Sequence, residues 1–379
     1  MPALDTTVKF FDKDMASAPS LAATAGNLIS VLDACLVNGF AQKTADSVVV
    51  SAGVATATIS TGHSFRAHTV ALIAGATPAG LNGQHKVLSV TTNTVRFDAF
   101  GVEDGTATGT ITLKLAPLGW EKVFTGTNVA VYRSPNVQST RSYLRVDDSV
   151  TTSARVAGYL AMTDANTGTD KFPSDAQFAG GLYISKSSDA TQRHWWLFGD
   201  DRRFYISIPP TYQGSAYASG YTHGFGDIQS TKPNDPYRFM VGAHSSDCTG
   251  SGYDASRGPL NLGNSTYGML RYFPRNYTGV GVPVQLNIFF QQGSYPGQGG
   301  YTFPNPEDSG VYLTRVWLNE SSTVRGWLPG LYSSMQNVLT NVADGDIWTN
   351  VIGLEGKTFI YRLCIGGGYF IDVTGPWEN

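Results

Sequence analysis

Charge is the scarcest ingredient of this chain. Of its 379 residues, 15% are Asp, Glu, Lys or Arg, where soluble globular proteins average roughly 25%. With 26 basic against 29 acidic side chains the net charge is −3. That leaves no basic footprint for nucleic acid and no polybasic patch for a membrane surface, so neither partner is expected. Low charge beside 41% hydrophobic residues also excludes disorder, which needs little hydrophobicity and a large net charge. Cysteine is nearly absent. Cys35, Cys248 and Cys364 are odd in number and at no metal-ligand spacing, so neither a disulfide framework nor a zinc site is expected. Long apolar runs are missing as well: the best candidate, "NLISVLDACLV", is too short to span a bilayer and contains Asp33. The N-terminal "MPALDTTVKFFDKDM" sets Asp5, Asp12 and Asp14 ahead of any apolar run, the wrong polarity for a secretory signal.

Chemistry-bearing motifs are equally thin. His63, His68, His85, His194, His223 and His244 form no metal-binding pattern. There is no G-x-S-x-G elbow and no phosphate-cradling loop. "DANTGTD" (164–170) spaces Asp164, Asn166 and Asp170 like oxygen ligands, but it lacks the closing Glu of a calcium loop and reads as an Asx-rich turn. The pairs Asp147-Asp148 and Asp200-Asp201 sit between apolar runs and read as turn formers rather than as the opposed carboxylates of a glycosidase. No cofactor and no enzymatic activity are expected.

What the chain has in abundance is Gly (43) and aromatics (12%), cut into short runs with strand periodicity. Leu28, Leu32, Cys35 and Leu36 fall on one face of a short amphipathic helix over about 25–37, with Thr24 as its N-cap and Asn38-Gly39 as its stop. From Asp46 to Leu115 follow period-two strands. "SVVVSAGVATATIST" turns at Ala52-Gly53, "HTVALIAGA" stands alone, "HKVLSVTTNTVRFDA" turns at Thr92-Asn93, and "GTITLKL" closes the set. This block, 46–115, reads as a small barrel or Ig-like module inserted into a larger β domain. Residues 1–45, with the helix, belong to that larger domain, which resumes at 116 and runs to 379 with a candidate seam at 230–239. Within 116–379, "HWWLFGDDRRFYISI" is the clearest hairpin. The fold class expected is all-β, mainly antiparallel sandwich or barrel, with one short N-terminal helix.

Two long stretches, 209–236 and 291–310, read as loops, and loops of this length usually meet something. Tyr212, Tyr217, Tyr221 and Phe225 in the first, and Tyr295 and Tyr301 in the second, lie among Gly, Ser and Gln. They are candidate contact or glycan-stacking residues, with packing against neighbouring copies of the chain as the plainer reading.

Several segments resemble a group of virion structural proteins of tailed bacteriophages: "SLAATAGNLISVLDACLVNGF" (20–40), "GWEKVFTGTNVAVYRSP" (119–135), "RSYLRVDDS…ARVAGYLAMTD" (141–164) and "GGGYFIDVTGPW" (366–377). The inserted stretch 62–99 is similar to small Ig-like or barrel modules of phage and bacterial surface proteins. The resemblance implies a non-enzymatic subunit of the virion, assembled in the bacterial cytoplasm, at the exterior of the neck, tail or baseplate. Its partners would be other virion proteins and further copies in a ring or trimer. Capsid decoration, or host receptor or glycan binding at the tail, are the alternatives. The resemblance brings no catalytic residue with it.

Overall fold

The computed structural model describes residues 3–211, 220–249, 268–289, 302–336, 342–349, 351–364 and 367–378. Strands account for 44% of the described residues and helix for 5%, and the strand pairings are antiparallel, as the period-two runs predict. Three sheets make up nearly all of it.

The inserted block forms an eight-stranded sheet in the order Phe40–Thr44, Thr112–Leu115, Val70–Ala74, Gly83–Val90, Thr94–Asp98, Val54–Thr58, Ser47–Ser51, Gly105–Thr106. Its sequence logic is visible in Ser47–Ser51, where Val48 and Val50 are buried and Val49 between them is exposed. The turn at Ala52-Gly53 has positive φ at both residues, the two-residue geometry that matches strand twist. The sheet curls until Thr77 and Thr108 exchange backbone hydrogen bonds at 2.9 Å, which partly closes a barrel. The sheet begins at Phe40, six residues before the sequence boundary, because Phe40–Thr44 pairs with the closing strand Thr112–Leu115. Entry to the barrel and exit from it are therefore neighbours.

A twelve-stranded sheet forms the body. Its order is Lys9–Asp12, Trp196–Gly199, Arg203–Ile208, Tyr221–Asp227, Phe239–His244, Leu182–Ser185, Ser153–Tyr159, Tyr143–Asp147, Val129–Arg133, Glu121–Gly126, with Met269–Phe273 and Val284–Gln285 branching from Phe239–His244. A seven-stranded C-terminal sheet is built on the long strand Thr323–Ser334, paired with Leu313–Glu320, Gly367–Asp372 and the short Gln229–Ser230. The two sheets are bonded across their interface. Tyr205 Oη donates to Pro329 O (3.0 Å), Thr222 and Tyr369 share a hydroxyl bond (2.8 Å), and the Tyr205 ring packs on Trp377 (5.7 Å). One continuous apolar core links barrel, helix and both sheets, from Val48 and Leu113 through Leu36 and Tyr132 to Phe204, Leu331 and Ile371.

The helix spans Asn27–Leu32 and continues as a wider π turn, Asp33–Asn38, ending at Gly39 with φ 69°. Leu28, Leu32, Cys35 and Leu36 are all buried, as their spacing predicts. Its start differs from the expectation. Thr24 does not cap it; Gly26 occupies the cap position, and the carboxylate of the distant Asp148 accepts from Leu28 N (2.8 Å) and Ile29 N (3.2 Å). A charge at a helix N-terminus complements the exposed N–H groups and the dipole, and tertiary structure supplies it here.

The stretch 209–236 is not one loop. Tyr221–Asp227 is a central strand, buried at every position, flanked by Arg203–Ile208 and Phe239–His244.

Candidate functional site at the junction of barrel and sandwich

The side chains with most chemistry gather where the first strand, the barrel and both sheets meet. Lys9–Asp12 pairs with Trp196–Gly199 and brings Asp12 opposite Trp196. From the barrel, Arg66 grips Asp12 with both terminal nitrogens, Nη1 to Oδ2 at 2.5 Å and Nη2 to Oδ1 at 3.1 Å. Each nitrogen faces one carboxylate oxygen, the Nη2–Oδ1 contact as a hydrogen bond and the Nη1–Oδ2 contact as an ion pair. Burial pushes the Asp12 carboxyl up, against the pull of Arg66. From the C-terminal sheet, Arg362 lays its guanidinium 4.5 Å from the centre of the Trp196 ring, with Nε on Asp344 Oδ1 (2.8 Å) and Nη1 on Ser207 Oγ (3.3 Å). Phe10, Trp196 and Phe198 stack beneath it within 12–25° of parallel.

A second tie lies alongside. Lys86 on the barrel strand Gly83–Val90 donates to Val373 O (2.6 Å) and Val8 O (3.4 Å), so one ammonium joins barrel, first strand and C-terminus. Lys9 and Lys86 are both almost fully buried, and burial lowers each pKa to about 8. Leu4 N to Asp98 Oδ2 (3.0 Å) and Ala16 N to Ser64 Oγ (2.6 Å) complete the contact.

The same device recurs at other seams. Lys186 and Asp148, both wholly buried, form the ion pair behind the helix N-terminus, and Lys186 also donates to Thr24 O (2.8 Å) and Val150 O (2.9 Å). Arg325 reaches Asp235 (2.9 Å) and Glu320 (3.0 Å), fixing the segment that crosses from the body to the C-terminal sheet. These ion pairs and hydrogen bonds hold elements from different parts of the chain in register.

The structure separates the aromatic residues singled out in the sequence. Tyr221 and Phe225 are only 5% and 2% exposed and lie within a central strand. Tyr221 packs edge-on against His244 (5.2 Å) and Phe225 against Phe204 (5.2 Å). They are core residues and cannot stack on a glycan. Tyr212, Tyr217, Tyr295 and Tyr301 lie outside the described residues.

The turn readings hold where they are visible. Asp200 Oδ1 accepts from the backbone N–H of Arg202 and Arg203, both at 2.8 Å, and Asp164 Oδ1 accepts from Asn166 N (2.7 Å) and Thr167 N (2.9 Å). Asp148 is the exception, since it is a buried cap and ion-pair partner. Among the described residues no group of three His, Cys, Asp or Glu side chains could hold a metal.

One pairing escaped sequence reading. Cys248 Sγ lies 3.0 Å from His244 Nδ1, with Tyr221 beside them. Their spacing of four in "HSSDC" was the available signal. Burial pushes the thiol up to about 11, away from the thiolate that is the reactive form. Compared with protein families and with curated proteins, the chain matches none.

Proposed function

We propose that this chain is a non-enzymatic structural subunit of a tailed-phage virion, placed at the exterior of the neck, tail or baseplate and acting by symmetric assembly. The observation that carries the reading is the bonded junction. An inserted barrel is clamped to a sandwich by the Arg66–Asp12 pair and the buried Lys86, so that it projects as a fixed part. A mobile recognition module would sit on a linker with few contacts. Low charge, many glycine turns and ions paired at the seams suit a part that works by fitting, and the sequence resemblance supplies the setting.

A group of exposed apolar side chains supports self-association. Tyr277, Val280, Val282 and Val324 are 39%, 63%, 73% and 46% exposed. Lys232 and Thr231 bring their segments together, through Nζ to Tyr277 O (3.0 Å) and Oγ1 to Val324 O (2.9 Å). Clustered apolar exposure of this kind marks contact surfaces more than scattered single residues do.

The test is mass spectrometry of gradient-purified particles. The chain should be present in whole-number ratio to a known ring protein, and antibody labelling should decorate the tail or neck. Recovery only in the soluble lysate would sink the proposal, and labelling of the head would move the assignment to capsid decoration.

A further inference from the structure

The C-terminal sheet carries a second small core, of Val311, Tyr332, Val351, Phe359, Tyr361 and Phe370. Beside it opens a cleft of about 250 Å³ lined by Asn305, Tyr312, Met335 and Gln336. We propose that this cleft binds one neutral hexose ring, such as a unit of a host surface polysaccharide.

The first argument is size. Pockets for drug-sized ligands run about 300–1,000 Å³, and this smaller one matches a single ring. The second is the chemistry of the wall. Tyr312 offers an aromatic face for the C–H side of a pyranose, Met335 an adaptable apolar floor, and Asn305 a planar amide that can both donate to and accept from vicinal hydroxyls. Few polar groups on a mainly apolar wall is the usual composition of a small-molecule site.

The third argument is rigidity. Asp308 is the anchor: its Oδ1 accepts from Asn305 Nδ2 (2.7 Å) and Gly310 N (2.8 Å), and its Oδ2 accepts the Tyr312 hydroxyl. Gln336 is pinned against the same turn, donating to Gly310 O (2.8 Å) and Thr302 O (3.1 Å) and accepting from Tyr312 N (3.0 Å). Met335 N donates to Tyr312 O (2.9 Å). The polar groups are thus held in place before any ligand arrives, which lowers the ordering cost of binding.

Charge selects the class of sugar. No cation is among the described lining residues, and Glu307 and Asp308 lie on the adjoining turn. A uronic or sialic acid would meet like charge there. A second cleft, of about 220 Å³ at Thr349, Val351, Ile352, Glu355 and Gly356, has no aromatic side chain among its described lining residues and differs in composition.

The test is ligand-observed saturation-transfer NMR on the full chain with glucose, galactose, N-acetylglucosamine and glucuronate. At least one neutral sugar should bind with a Kd on the order of 1–10 mM, the range open to a single small ring. Glucuronate should bind at least about tenfold more weakly. Tyr312→Ala and Asn305→Ala should each weaken binding about tenfold or more, with the unfolding transition unchanged. Asn305 lies on a surface turn, so its variant keeps the test decisive should Tyr312→Ala disturb folding. No binding by any neutral sugar, equal binding of glucuronate, or full binding by Asn305→Ala would each overturn the proposal. The site is independent of the virion assignment: a particle subunit that ignores sugars, or a sugar binder absent from particles, separates the two.

Discussion

His223 makes this fold acid-labile, and its surroundings set the size of the effect. The side chain is 1% exposed in the central strand Tyr221–Asp227, and neither ring nitrogen has a hydrogen-bond partner. Burial lowers its pKa from 6.5 to about 3, and the positive field of His244 acts in the same direction. The folded protein keeps the ring neutral, whereas the unfolded chain takes up a proton below pH 6.5. Stability is therefore complete above pH 6.5 and is lost progressively as pH falls toward 3. At about 1.4 kcal/mol per pKa unit, the loss is about 2 kcal/mol at pH 5 and about 5 kcal/mol at pH 3. Total stabilities are about 5–15 kcal/mol, so the smaller figure already matters.

The assay is urea unfolding of the parent and of His223→Leu at pH 7.5 and pH 5. His68 and His194, whose pKa values burial also lowers, contribute equally in both proteins and cancel. The parent should lose about 2 kcal/mol more than the variant on acidification. At pH 7.5 the variant should be at least as stable, because it no longer buries two unpaired nitrogens. Equal losses in the two proteins would refute the reasoning and place the ring in a hydrated or bonded setting.

Two further outcomes follow from packing. Asp148→Ala leaves the Lys186 ammonium buried without its carboxylate and strips the helix N-terminus of its acceptor, and should lower stability by about 3–5 kcal/mol in thermal or denaturant unfolding. Adding Lys186→Met should recover a large part of that loss, and a double variant no better than the single would show that the cap outweighs the ion pair. Gly158→Ala places a methyl group 2.2 Å from the Phe172 ring, which is wholly buried against Phe239. The crowding should cost about 1–3 kcal/mol, and pairing the change with Phe172→Leu should restore part of it.

Much of this architecture was legible because the barrel and the hairpin Trp196–Ile208 alternate or cluster their apolar residues between unambiguous turns. Ser47–Ser51 and Val54–Thr58 turn at Ala52-Gly53, as their spacing requires. The strand Tyr221–Asp227 was hidden by its own burial. Both of its faces are covered, so Thr222, His223 and Asp227 are buried with the aromatics and mark no outer side, and Gly224 and Gly226 on either side of Phe225 imitate a loop. Thr323–Ser334 was concealed by Gly326, Pro329 and Gly330, which punctuate a strand that tertiary pairing nonetheless holds. At the junction, nothing local to Asp12, Arg66 or Arg362 announces that they converge, since they come from three parts of the chain and meet only in the folded state. The sugar cleft was unreadable for the same reason: Asn305 and Tyr312 stood at the edge of a supposed loop, and Met335 and Gln336 approach only through the register of the C-terminal sheet.

The placement of the ion pairs bears on what the fold is built to do. Replacing a buried ion pair with apolar residues of similar volume often leaves stability unchanged or raises it, so such pairs are weak arguments for stability alone. Here the buried pairs sit at seams, Arg325–Asp235 between the two sheets and Lys186–Asp148 between helix and body, and the buried Asp12 is met by a partly exposed Arg66 between barrel and body. Apolar surfaces can slide against one another with little change in buried area, whereas a guanidinium paired with a carboxylate is held to a defined geometry. A chain so poor in charge that commits several of its ions to these positions trades solubility at the surface for defined angles between its parts. The ring subunit proposed above would need such defined angles, because a small angular error at each contact between copies would prevent the ring from closing.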